Sequence, residues 1–237
     1  MNNENVSLFF QRRRALIAGT LVIAGVTVLA ALAFFFVQDI VNKKAIQELE
    51  ALVTRYDELK PSFAAGEDDE KRAGVDELLT AIRTFAEKNT GYSAARAWSM
   101  AAGIYADRKG WQEAESAYLN SAVKGKKTYL APVSYYNAAV CAEEQANTEI
   151  ARAHLVKSLG YTDFPLAARA QFAIARLLEQ EGDTAAALEA YRLVTEKYAK
   201  EKDWINLAYS RLITLENTGA ARAAPAPAPQ ADKAAAE

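Results

Sequence analysis

Three alanines, Ala114, Ala151 and Ala187, stand 37 and 36 residues apart, and each sits inside a copy of one pattern. Trp98, Ala101, Ala102 and Tyr105 precede Ala114 and Tyr118; Tyr135, Ala138, Ala139 and Ala142 precede Ala151 and Leu155; Gln171, Ile174, Ala175 and Leu178 precede Ala187 and Tyr191. Self-similarity at such a period means supersecondary units that cannot bury their apolar faces alone and must stack on one another. Within each copy, steps of three and four gather the marked residues on one helical face. The small ones let two helices approach and the large ones fill the space to the next pair. No stretch alternates apolar and polar residues as a half-buried strand does. These observations predict an all-α fold, an α-solenoid of helical hairpins.

The same reading extends to either side of the three copies. Ile46, Leu49, Val53, Tyr56 and Leu59 form one amphipathic stripe that Pro61 ends, and Val75, Leu78, Leu79, Ile82 and Phe85 form a second that Asn89-Thr90-Gly91 breaks. Between them Gly66-Glu67-Asp68-Asp69-Glu70 reads as a solvated loop whose acidic end suits a helix start. Further breaks fall near Gly110, Gly125, Asn147, Gly160 to Pro165 and Gly182, and a last helix is expected from about Asp203 to Asn217. Residues 39–217 thus make a repeat domain of three to four hairpins with a capping helix. Residues 218–237 carry Pro225, Pro227 and Pro229 among alanines and no large apolar side chain, so they are expected to be a disordered, extended tail.

The repeat resembles the tetratricopeptide repeat, with its early aromatic, mid-helix small residues and late tyrosine in helix A, and its alanine and aromatic in helix B. The closest copy is Gly182-Asp183-Thr184-Ala185-Ala186-Ala187-Leu188-Glu189-Ala190-Tyr191. The chain departs from the pattern in its longer period, in alanine where the repeat has glycine, and in a middle copy without the helix-A tyrosine.

Ahead of the repeats, Ala15 to Val37 is a run of 23 residues without a charge. As a helix it measures roughly 35 Å, enough to cross the hydrocarbon core of a bilayer. Arg12, Arg13 and Arg14 precede it, and Asp39, Lys43 and Lys44 follow. That bias predicts a cytoplasmic tail over residues 1–14, a transmembrane helix over 15–37, and a domain on the far side of a bacterial inner membrane, in the periplasm. Two other readings are weighed against it: a cleaved signal peptide using Ala31-Leu32-Ala33, against which Phe34-Phe35-Phe36-Val37 prolongs the apolar run, and a twin-arginine export signal, which lacks the usual polar lead-in, so that the arginines read better as a topology anchor.

The inventory of reactive groups is poor. One cysteine, Cys141, and one histidine, His154, allow neither an intramolecular disulfide nor a Cys/His metal cluster, and no cofactor is expected. His154 shows no acidic orienter at a recognisable spacing, and no glycine-rich loop follows a strand, so the chain does not read as an enzyme. A net charge of −2, with short basic runs only at Arg12 to Arg14 and at Lys124, Lys126 and Lys127, argues against nucleic acid. No small-molecule substrate is expected either. What remains is protein binding. The register of the three copies puts Arg96, Ser99, Tyr136, Glu143, Arg169, Phe172, Arg176 and Glu179 on the helix-A surface that lines the groove of such a stack, where aromatics among mixed charges suit an extended peptide or a partner helix.

In its whole layout, over roughly residues 10–217, the chain resembles the ancillary subunits of the bacterial Sec translocon, single-span inner-membrane proteins with a periplasmic tetratricopeptide-like domain. That resemblance implies association with translocon subunits, periplasmic chaperones or newly exported clients. The Ala-Pro tail departs from it. A structural adaptor of another envelope complex, in cell division, outer-membrane assembly or the cell wall, is the alternative from a different class, and a cytoplasm-facing adaptor of inverted topology a third.

Overall fold

The computed structural model describes residues 14–63 and 69–223. Arg12 and Arg13, the acidic loop residues Gly66 to Asp68, and the Ala-Pro segment from Ala224 onward lie outside the described residues. Among those described there is no strand. The chain divides into two compact units, one ending at Arg55 and one beginning at Tyr56.

The first unit is built on helix α1, Arg14–Leu59, which runs without a break from the uncharged segment into the amphipathic one. From Val22 to Val37 its large apolar side chains point outward on every side and stay exposed. The one hydroxyl in the middle of that stretch, on Thr27, donates back to the Ile23 carbonyl at 2.9 Å, so no polar group there is left without a partner on the helix. By length and composition this is a helix able to cross a bilayer, with a mean hydropathy of 2.6 over its most apolar window.

In the second unit Pro61 sits inside a single 3-10 turn, Lys60–Ser62, that ends α1. Then follow α2 (Asp69–Lys88), α3 (Gly91–Asp107), α4 (Trp111–Lys124), α5 (Leu130–Glu144), α6 (Thr148–Leu159), α7 (Ala167–Gln180), α8 (Thr184–Lys197) and α9 (Lys202–Ala223). From α2 to α9 each helix packs against its neighbours in sequence, as stacked hairpins do. The terminal helix α9 runs to Ala223, past the end at Asn217 that apolar periodicity marks, because Ala220, Ala221 and Ala223 extend a helix without supplying an apolar stripe.

The repeat is written in the backbone as well as in side chains. The three helix-A to helix-B turns hold Lys109, Ala146 and Gly182 at left-handed φ of 60°, 59° and 83°. In each, the next residue donates to a carbonyl five positions back: Gly110 to Tyr105, Asn147 to Ala142 and Asp183 to Leu178. This is the hydrogen-bond pattern of a Schellman close, in which a residue in left-handed conformation lets the chain reverse and satisfies orphan carbonyls. Asp183 then caps α8, its carboxylate accepting from the Ala186 amide at 3.0 Å.

Alanine dominates the interior. Ala94, Ala95, Ala97, Ala101 and Ala102 of α3 are all fully buried. Close approach there is sealed by buried hydroxyls: Ser121 donates to the Ala95 carbonyl at 2.8 Å and lies 2.8 Å from the Ser134 hydroxyl. Further along, α7 stands between two apolar clusters. Ile174 and Leu177 join Tyr136, Ala151, Leu155 and Phe164 on one side, while Ala175 joins Tyr191, Val194, Ala208 and Leu212 on the other. Leu178 packs against both.

Candidate functional site

On α5, α7 and α9, residues spaced i, i+3, i+7 and i+10 share one helix face: Val133, Tyr136, Val140 and Glu143; Arg169, Phe172, Arg176 and Glu179; Trp204, Leu207, Arg211 and Thr214. Two depressions open on this surface. The first is lined by Tyr136, Val140, Glu143, Arg169, Phe172, Ala173, Arg176 and Trp204. The second is lined by Phe172, Arg176, Glu179, Gln180, Tyr191 and Arg211. Phe172 and Arg176 belong to both, so the two adjoin.

An aromatic frame holds the site. The Phe172 ring lies 5.4 Å from Trp204 and 5.3 Å from Tyr191, at steep angles that suit edge-to-face contact. The Arg169 guanidinium stands over two rings, 5.3 Å from the centre of Tyr136 and 5.9 Å from that of Trp204. Burial raises the Tyr136 phenol above its ordinary pKa, and the nearby Arg169 cation offsets part of that rise.

The remaining charges are matched in pairs. Arg176 bonds Glu143 across the α5–α7 boundary and also donates to Gln180 at 3.3 Å. Arg211 pairs with Glu179, its Nε donating at 3.2 Å, and the Tyr191 hydroxyl donates to the same carboxylate at 2.9 Å. Burial pushes Glu179 upward, but the hydrogen bonds from Arg211 and Tyr191 outweigh it and hold the carboxyl below its ordinary value. Tyr191 is pushed up to about 12, first by burial and then by Glu179. Arg169 differs from its neighbours: among the described residues it has no carboxylate partner.

Six of the eight sequence-derived groove residues, Tyr136, Glu143, Arg169, Phe172, Arg176 and Glu179, therefore line this connected surface. Arg96 and Ser99 line neither depression. Their face of α3 also carries Gly103, where an added Cβ would lie 2.7 Å from the Tyr56 hydroxyl. Tyr56 occupies that stretch, its phenol raised by burial and by Asp107, with Arg96 acting in the opposite direction. Trp204, Tyr191 and Arg211 complete the surface and lie outside the helix-A register that the three copies define. Trp204 and Arg211 follow Arg169 and Arg176 by 35 residues, a spacing that marks them as a fourth helix A once α9 is counted as one.

Elsewhere, His154 is buried, and its Nε2 lies 2.9 Å from Glu115, 39 residues away on α4. Gln145 donates to the other Glu115 oxygen at 2.8 Å and to the Cys141 carbonyl at 3.0 Å. Burial, followed by Glu115 and Glu144, pushes the Cys141 thiol up to about 12. Among the described residues no group of three or more His, Cys, Asp or Glu side chains is placed to hold a metal.

No protein-family model matches the chain. A TPR repeat-containing protein of Treponema pallidum (strain Nichols) is 33% identical over 227 residues, a match covering 90% of this chain and 94% of that protein. Among solved structures, the apo form of RapI superposes with a TM-score of 0.48 at 16% identity, over 70% of this chain and about half, 54%, of that one. A relative this similar along nearly its whole length agrees with the stacked hairpins and their periodic turns: the chain belongs to the TPR repeat-containing proteins.

Proposed function

We propose that the chain is a membrane-tethered protein-binding scaffold whose α5–α7–α9 surface receives an extended segment or helix of a partner. One observation carries the reading: Tyr136, Phe172 and Trp204 from three successive A helices frame a guanidinium, Arg169, that has no carboxylate partner among the described residues. A partner side chain laid over those rings would displace water from apolar surface, and a carboxylate beside it would meet the free cation. The neighbouring arginines, already neutralised, fix the shape of the site and add little attraction.

In this reading α1 is a single span and the domain faces the periplasm beside the protein-export channel, binding translocon subunits, periplasmic chaperones or exported clients. Support for the span comes from the exposed apolar surface of α1, which a secretion signal would share. Tethering to the membrane raises the effective concentration of the surface near membrane-bound partners. The reading is of a binding protein, with no catalytic step. A thiol pushed up to about 12 is not a ready nucleophile, and the histidine is committed to Glu115.

The test is photo-crosslinking in native membranes from a probe replacing Val140, which lines the first depression and is 38% exposed. Adducts with translocon subunits, periplasmic chaperones or exported precursors support the export scaffold. Adducts confined to division, wall or outer-membrane components sink it in favour of an envelope adaptor.

A further inference from the structure

The helix-B to helix-A connections gather on one edge of the stack, and their composition is unlike that of the opposite edge. Lys124 at the end of α4 donates to the Asn89 carbonyl at 3.2 Å, and the Tyr92 and Tyr129 rings lie 6.2 Å apart, so the α2–α3 and α4–α5 connections touch. Tyr129 and Tyr161 line a common depression with Lys126 and Lys127, which joins the α6–α7 connection to them. Its lining includes one carboxylate, Asp163. Lys126 and Lys127 are exposed and, among the described residues, neither has a carboxylate partner. Apolar surface accompanies them: Tyr129 is 60% exposed and Val123 64%. The turns of the opposite edge include Arg108 and Lys109, but carboxylates outnumber cations there, with Asp107, Glu144, Glu149, Glu181 and Asp183.

We propose that this lysine–tyrosine edge is a docking surface for a bilayer rich in anionic phospholipid. Lysines without partners are attracted by the lipid phosphates, and each one near the surface strengthens partitioning about fivefold. Tyrosine rings with one apolar and one polar end suit the headgroup level, and the lysine stems cover apolar surface while their ammonium groups stay wet. The acidic opposite edge is repelled by the same lipids, so the charge asymmetry selects one face. An edge that is both basic and aromatic fits a lipid surface better than an acidic protein, which would call for carboxylate-directed arginines. The inference rests on the tethered reading above, in which a span keeps the domain beside a membrane.

The experiment uses the full chain in proteoliposomes of phosphatidylcholine, with or without about 30% phosphatidylglycerol, carrying a nitroxide at Val123→Cys. The buried native Cys141 stays unlabelled. Collisions with a water-soluble relaxation agent are expected to fall severalfold in the anionic bilayer, to recover in high salt, and to recover in Lys126→Glu/Lys127→Glu. A label at Ala146, on the acidic edge, is expected to stay equally accessible in both bilayers. A Val123 label as accessible in anionic as in neutral bilayers, or protection that survives the double reversal, overturns the inference. Extraction by alkaline carbonate would mean that the span reading has failed; the same labelled chain mixed with preformed anionic vesicles then decides the edge on its own.

Discussion

Lys109, Ala146 and Gly182 occupy equivalent turns with the same left-handed backbone, yet only one of them is glycine. A side chain at such a position costs roughly 1–2 kcal/mol. Replacing it with glycine removes that strain but gives the unfolded chain more freedom, which returns roughly 0.5–1 kcal/mol. Lys109→Gly and Ala146→Gly are therefore each expected to stabilise the domain by about 0.5–1 kcal/mol. Gly182→Ala is expected to destabilise it by a similar amount. Lys109 and Ala146 are exposed, so no lost packing obscures the comparison. For a domain of this size each change corresponds to a melting shift of about 1–4 °C. The assay is thermal and urea unfolding of the full chain in detergent, followed by circular dichroism and tryptophan fluorescence together, because stacked repeats need not melt as one unit. If the two glycine substitutions destabilise as they would in a helix interior, or if Gly182→Ala is neutral, the turn argument is wrong.

Three other outcomes follow from the geometry. Glu115→Ala leaves the buried His154 without its carboxylate, while Gln145 keeps its bond to the Cys141 carbonyl, and should cost about 1–3 kcal/mol by urea unfolding, with Glu115→Gln losing less. The Glu179 carboxyl is held below its ordinary value, so its contribution is present above the unfolded-state pKa and lost as pH falls through the folded one; Tyr191, raised to about 12, contributes below the ordinary phenol value and loses that contribution as pH rises. Stability measured against pH should thus decline at both ends, and Tyr191→Phe should remove only the Tyr191 share of the alkaline decline, leaving that of Tyr56, Tyr136 and Cys141, while weakening the acid one. Cys141 should resist maleimide in the native protein at neutral pH and react at once in urea, since its thiol is buried and pushed up to about 12.

The hairpins were legible because the small-residue positions recur: Ala114, Ala151 and Ala187 are each fully buried, and Gly110, Gly125, Asn147 and Gly160 cap helices where turn chemistry placed breaks. What spacing cannot show is pairing across helices. The tie of His154 to Glu115 depends on α4 and α6 being neighbours, and no local motif announces it. Arg96 and Ser99 fit the groove register perfectly well as sequence; the side chain that claims their face, Tyr56, belongs to the helix before the repeats. Trp204 is hidden in the sequence for the opposite reason. It stands in a capping helix whose stripe is thin, and its role appears only when Phe172 and Arg169 are seen against it.

The position of α7 between two apolar clusters bears on how the groove can respond to an occupant. A close-packed interior resists displacement, and α7 is clamped by such packing on both sides through Ile174, Leu177 and Ala175, with Leu178 shared. Moving it would loosen two cores at once. Helix α9, which closes the stack, is packed through Ala208 and Leu212 into one of them alone. Mechanically, then, Arg169, Phe172 and Arg176 form a stiff floor, while Trp204 is mounted on the compliant wall. Under the proposed binding role, partners of different girth would be accommodated by α9 swinging against a fixed template, and the helix at the end of the stack would be the first to register an occupant.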